Sequence, residues 1–261
     1  EDQKLVDWMR GRFQGYLDFA NTFAPSSGDL FWSKALRVGR LNLRIVGLNT
    51  ALLSHDDLDK GKLQLGLGQI EKTLGQREDE LVILLTHHPL DWLRDAEDVS
   101  PKLRGRAHVH LHGHVHMQES AAHRAGGGSD WLRICAGAVH PDEKERDGRP
   151  IGHGYSFGAV GIDSDRLFVD VFPRRWSEKR DDFRIDSENT MRVGHSTRHE
   201  LQAPRPADVH PPQQRNATEA PEGGRVFDED LEALIAEIDT ETNRRRSGVE
   251  TFVRSLANKF Q

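Results

Sequence analysis

From Ala107 to His116 the chain reads Ala-His-Val-His-Leu-His-Gly-His-Val-His, with a histidine at every second position. A period of two is the period of a β-strand, in which successive side chains point to opposite faces. The spacing predicts a strand over 107–112 whose carboxyl end runs into Gly113-His114. Neutral imidazole is the commonest protein ligand for divalent transition metals. Two histidines separated by one residue at a strand end can share a site. Upstream, Leu81-Val82-Ile83-Leu84-Leu85-Thr86 is an apolar run that leads straight into His87-His88-Pro89. Two buried strands that both end in histidine predict a metal site at the carboxyl edge of a sheet. Not all five histidines of the run can be ligands. His108, His110 and His112 alternate with Val109 and Leu111 and read as the polar face of their strand.

The remaining pattern is that of an α/β chain. Leu5, Trp8, Met9, Phe13, Tyr16 and Leu17 recur at helical spacing and predict an amphipathic helix over 3–20, its stripe facing a core. Residues 41–48 predict a strand, 54–61 a polar loop, and Leu63, Leu67, Ile70 and Leu74 a helix. The strand at 81–86 has almost no polar interruption, which suits a sheet covered on both faces. Further strands are predicted at 131–137, 155–162 and 166–172, the last two joined as a hairpin by Asp163-Ser164-Asp165. His140 and His153 flank a charged loop and read as loop residues. Helices between the early strands and consecutive strands later fit a layered α/β sandwich.

After about residue 190 the composition shifts to Pro, Gln, Arg and Ser with no period, so 191–224 is expected to be a flexible linker. Residues 225–261 are expected to form a helical tail or the start of a further module. Asp228 is its N-cap, and Leu231, Leu234, Ile235 and Ile238 form a stripe that contacts the chain's own core or a partner. The single cysteine, Cys135, excludes an intrachain disulfide and fits a reducing, cytoplasmic setting. The sequence holds no apolar run of membrane-spanning length. A net charge of −6 lacks the basic footprint of a nonspecific nucleic-acid binder, so nucleic acid is not indicated as a partner.

The order of the two histidine clusters resembles the calcineurin-like metallophosphoesterases, which include purple acid phosphatases and many bacterial phosphodiesterases. The last two motifs of that family are a histidine ending an apolar strand, often followed by x-Pro, and then Gly-His-x-His. Here they read His87-His88-Pro89 and Gly113-His114-Val115-His116. The strand Leu41 to Thr50 and the helical Gln69 are also similar to the family, and the resemblance covers roughly residues 1–190. It implies an α/β/β/α sandwich. It also implies a centre of two divalent ions (Mn, Fe or Zn), with His87 and His114 on one ion, His116 on the other, and His88 beside them or facing the substrate. The implied activity is hydrolysis of phosphomonoesters or phosphodiesters through a hydroxide that both ions activate.

The family's upstream motifs, Asp-x-His, Gly-Asp-x-x-Asp and Gly-Asn-His, are not found before position 40. Gly28-Asp29-Leu30-Phe31-Trp32 fails at its last residue, and Asp208-Val209-His210 lies in the proline-rich stretch. The expectation is therefore the carboxyl-terminal part of such a domain, its amino-terminal part missing. No catalytic residue is assigned to this chain, and by itself it should be a poor catalyst. Two other readings stay open: a degenerate, noncatalytic phosphoesterase-like domain used for protein interaction, and an unrelated histidine-rich protein that buffers or senses metal.

Overall fold

A computed structural model describes residues 3–23, 30–38, 41–56, 58–75, 80–115, 119–124, 130–137, 153–163, 166–187, 190, 195–202 and 240. The apolar run forms a strand at Leu81–Thr86, and its neighbours in space are the strands Leu41–Gly47 and Val109–His112. In chain order the elements are α1 (Gln3–Arg12), α2 (Gln14–Phe23), β1 (Trp32–Val38), β2 (Leu41–Gly47), α3 (Leu67–Thr73), β3 (Leu81–Thr86), α4 (Ala96–Arg106) and β4 (Val109–His112). They continue with β5 (Glu119–Arg124), β6 (Asp130–Cys135), β7 (Gly154–Asp163), β8 (Arg166–Ser177), β9 (Asp182–Ile185) and β10 (Thr197–Gln202).

One sheet has the order β1-β2-β3-β4-β6-β5. Its middle strands β2, β3, β4 and β6 are parallel, and β1 and β5 pair antiparallel at the two edges. The second sheet has the order β10-β8-β7, with β9 also beside β8.

The period of two sorts the side chains of the first sheet. Odd positions Leu81, Val109 and Ile83 meet Leu132 and Ile134, and across the gap Leu167, Val169, Val171 and Leu201 of the second sheet. Even positions Val82 and Leu84 face the other way, onto Leu63, Ile70, Leu74, Leu93, Val99 and Leu103 of the helical layer. The described residues thus give three layers: helices α3 and α4, the six-stranded sheet, and the four-stranded sheet. This is a mixed α/β architecture with a central sheet, in line with the first three layers of the expected sandwich. Such a strand must be apolar on both faces, and β3 is.

Gly66 stands before α3 at φ +78°, a left-handed conformation that a side chain would strain. The Asp95 carboxylate accepts the Gly66 N–H at 2.8 Å and the Leu65 N–H at 3.2 Å, tying the start of α3 to the start of α4. Arg44 of β2 grips Glu80 at the entry to β3 with two hydrogen bonds of 2.6 and 2.9 Å.

Chain contacts divide the molecule into two units, Glu1–Arg174 with Ile185–Asp208, and Arg175–Arg184 with Val209–Gln261. Of the second unit, the described part is essentially the 175–184 segment, where Trp176 rests edge-on against Phe183 at 5.1 Å.

Several expectations are corrected. The single helix over 3–20 is two helices, broken at Phe13 between Gly11 and Gly15, where glycine lowers helix propensity. Its stripe is not uniformly a core face: Trp8 is 59% and Tyr16 56% exposed, and Leu17 is buried. The strands β1, β5 and β10 and the helix α4 were not anticipated. Thr197–Gln202 pairs antiparallel with β8 along six residues, so the stretch read as a linker from 191 carries a core strand and cannot begin before residue 203. Residues 191–194 and 203–224 and the tail 225–261, apart from Thr240, lie outside the described residues, as does His140.

Candidate metal centre

The parallel register pairs Ile83 with Val109 and Thr86 with His112, so β3 and β4 end side by side. The residues that follow must leave the sheet at one edge. The Gly113 N–H donates to the His87 carbonyl at 3.1 Å and stitches the two exits together. A three-residue turn follows, closed by the Val115 N–H on the Gly113 carbonyl at 2.9 Å, with His114 at its centre at φ +70°. Such a turn is rare and strained for a residue with a side chain, and costs about 1–3 kcal/mol. Here it brings the His114 ring against His87 and His88, the residues that follow β3.

Three imidazoles meet as a result. His114 Nδ1 lies 3.2 Å from His87 Nε2. Ring centroids are 4.7 Å apart for His87–His88, 5.1 Å for His87–His114 and 4.4 Å for His88–His114. One nitrogen from each ring fits within 4.8 Å of the other two. Trp92, in the 3₁₀ turn Leu90–Trp92, stacks on His88 at 5.7 Å and meets His114 edge-on at 4.1 Å. The indole closes one side of the cluster, while His87 remains exposed on the other.

His88 is buried and held by β2's exit loop. Its backbone N–H donates to Thr50 Oγ1 at 3.1 Å, and its Nδ1 lies 3.0 Å from the same oxygen. With Nδ1–H donating to that oxygen, the Nε2 lone pair is left for the cluster. Thr50 is itself fixed from α3. Gln69 Oε1 accepts the Asn49 N–H at 2.8 Å, and Gln69 Nε2 donates to the carbonyls of Asn49 and Leu65 at 3.0 and 2.9 Å. Burial, followed by the neighbouring His114 and His87, pushes the His88 pKa down to about 4. The ring is neutral at pH 7, as a ligand must be.

The donor set suits a borderline transition metal. Metal–nitrogen bonds of about 2.1 Å at a tetrahedral ion place the ligand nitrogens roughly 3.4 Å apart. The 3.2 Å between His87 and His114 is close to that spacing. Among the described residues no carboxylate joins the group, so these three rings can hold one ion and offer nothing to bridge a second.

Of the expected ligands, His87 and His114 come together and His116 lies outside the described residues. His88, expected beside the ligands or facing substrate, takes a full place in the cluster. His108 and His110 are not part of it. His108 Nδ1 accepts the Val82 N–H at 3.1 Å, and His110 Nε2 contacts Thr86 Oγ1 at 2.8 Å. Thr50 and Trp92 were missed, for neither sits in a pattern that marks it.

No family model and no curated protein matches this chain. Among solved structures it is similar to a hypothetical protein from Thermus thermophilus, at 16% identity and TM-score 0.31, over 69% of this chain and 65% of that one. GAP50, the anchor in the inner membrane complex of Plasmodium, matches at 12% and 0.33, over 67% and 54%. A novel phosphatase from Mycoplasma pneumoniae matches at 9% and 0.30, over 66% and 58%. The chain spans less than two thirds of each of these proteins, and at such scores the likenesses carry no argument about the site. Among the described residues no helix is long and apolar enough to cross a membrane.

Proposed function

We propose that this chain supplies the imidazole side of a divalent-metal centre that serves phosphoester hydrolysis. The observation that supports it is the convergence of His87, His88 and His114 at the carboxyl edge of a parallel sheet, with one nitrogen of each within 4.8 Å of the others. A divalent ion held there supplies Lewis-acid polarisation of a phosphoryl oxygen. The chain's own residues do the rest. Thr50 orients the neutral His88 ring, the turn at Gly113–Val115 aims His114, and Trp92 keeps water from one flank. His87 faces the open side from which a phosphoester would approach. A second ion, as in the dinuclear reading, needs ligands from outside the described residues, with His116 the first candidate within this chain.

A second reading is favoured by one observation: the cluster contains no carboxylate among the described residues. On that reading the domain binds metal but does not hydrolyse, and serves protein interaction.

Titration of the metal-free chain with Zn²⁺ or Mn²⁺ tests the centre itself. One ion per chain is expected, and His114→Ala should weaken binding by at least about tenfold, given that even the partners behind a ligand are worth that much. Turnover of an aryl phosphodiester or phosphomonoester by a longer protein carrying the upstream sequence separates the two readings. Full turnover in the His114→Ala protein at equal metal content rules out the hydrolytic role.

A further inference from the structure

A cavity of about 220 Å³ lies on the helical side of the first sheet, beside α4 and apart from the three-histidine cluster. Its apolar wall is Leu90, Ala96 and Trp131, and its polar lining includes Ser100, Arg104 and Arg133. His110 also lines it. The register sets His110 directly beside Arg133 of β6, and the alternation of each strand keeps both off the seam, which Val109, Leu132 and Ile134 fill.

His110 has one nitrogen too many for the protein around it. Thr86 has a single hydroxyl proton, which it donates to the His88 carbonyl at 2.8 Å. The contact of 2.8 Å between Thr86 Oγ1 and His110 Nε2 is then satisfied only if Nε2–H is the donor. The proton is thereby fixed on Nε2, and Nδ1 carries a bare lone pair. Among the described residues that Nδ1 is buried without a hydrogen-bond partner, in a residue that is 0% exposed. Burial pushes the His110 pKa down to about 3, so the ring cannot solve its problem by taking a second proton. A buried acceptor left unmade costs about 1–3 kcal/mol, and such groups call for an explanation.

Arg104, on the exposed face of α4, forms no ion pair among the described residues and borders the same cavity. Asp91 also borders it, but is exposed and lies 3.6 Å from Lys60. The lining therefore asks for two things of one guest: negative charge for the Arg104 guanidinium and an O–H donor for His110 Nδ1.

We propose that this cavity binds a small oxyanion that carries its own O–H, namely hydrogen phosphate or the monoanion of a small phosphomonoester. The volume is well above the roughly 30 Å³ that one water takes up in the liquid, leaving room for a short organic group on the phosphate. Sulfate has the same shape and charge range but no proton at neutral pH. It would set an oxygen lone pair against the Nδ1 lone pair. A site built to hydrogen-bond a group rejects the analogue that lacks it far more strongly than an apolar pocket could.

The test uses the full chain kept metal-free with chelator, so that phosphate cannot report on the histidine cluster and the outcome is independent of the proposed function. Calorimetric titrations with inorganic phosphate, sulfate and glycerol phosphate are compared. Phosphate or glycerol phosphate should bind at least about tenfold more tightly than sulfate, as one buried hydrogen bond is worth about that factor. The phosphate and glycerol phosphate arms tell the free ion from the ester. Arg104→Ala, at an exposed position that leaves the core untouched, should weaken binding at least about fivefold, the loss of one charge-assisted bond. His110→Phe keeps a ring of similar shape while removing both nitrogens, and should erase the preference over sulfate. Equal binding of phosphate and sulfate, binding unchanged by Arg104→Ala, or no binding of any of the three overturns the proposal. The first two outcomes mark an adventitious ion only. Should His110→Phe fail to fold, the sulfate comparison and Arg104→Ala decide alone.

Discussion

A single hydroxyl decides which way the buried His88 ring presents its nitrogens. Thr50 Oγ1 takes both the backbone N–H and the Nδ1 side of that residue. Thr50→Val keeps the volume and removes the oxygen. Metal affinity should then fall by about ten- to a hundredfold, the usual cost of losing the partner behind a ligating histidine. Competition with a chromogenic chelator reads this directly, and unchanged affinity would show that the ring is held by packing against Trp92 instead. The neighbouring His114 carries a different cost, in its backbone. At φ +70° glycine is at ease and alanine is not. His114→Gly should therefore be more stable than His114→Ala by on the order of 1 kcal/mol in urea denaturation, although both lose the ligand. Equal midpoints would mean that no strain is stored at this turn. The convergence of His87 and His114 was legible from the sequence because each lies just past the end of a patterned strand. Thr50 was not, because its importance arises from a contact with a residue 38 positions away.

Among the elements, those with a strong period were the readable ones. β3 is a run of apolar residues, and β4 alternates, so both declare themselves. α4 does not: Pro101 interrupts it, and only Val99, Ser100 and Leu103 of its residues are buried. β1 is exposed at every position, so no burial pattern marks it. β10 was hidden by its composition, Thr-Arg-His-Glu-Leu-Gln, which resembles the polar stretch after it. Its role is nonetheless structural. Leu201 is 3% exposed in the seam between the sheets, and Arg198 makes two hydrogen bonds of 2.7 and 2.6 Å to the buried Asp170 on the paired strand. A chain ending at 190 should lose at least about 2 kcal/mol against one ending at 204, from the leucine burial alone. Chemical denaturation of the two truncations measures it, and equal stability would place β10 outside the cooperative fold.

For the whole molecule, the buried imidazoles make stability depend on pH in one direction. His110 is held at about 3 and His88 at about 4, each mainly by burial, and burial also lowers His108. In the unfolded chain these rings titrate near 6.5. The unfolded state thus binds more protons below that value, so stability is fully present above pH 6.5 and drains away as the pH falls toward 3. His110 alone contributes a slope of up to about 1.4 kcal/mol per pH unit. The metal-free melting temperature should drop between pH 7 and pH 5, above the range where carboxylates protonate. A flat profile across that window would contradict the burial of these rings. The same histidines constrain how the gene can change. Odd positions of β4 fill the seam between the sheets and even positions carry imidazoles. One codon gained or lost near Ala107 would exchange the two sets, pressing His108, His110 and His112 into hydrocarbon and turning Val109 and Leu111 toward the helical layer. Codons added or removed in pairs preserve the sorting. The strand therefore tolerates length change only by twos, and its histidine comb acts as a parity check on the reading of the fold.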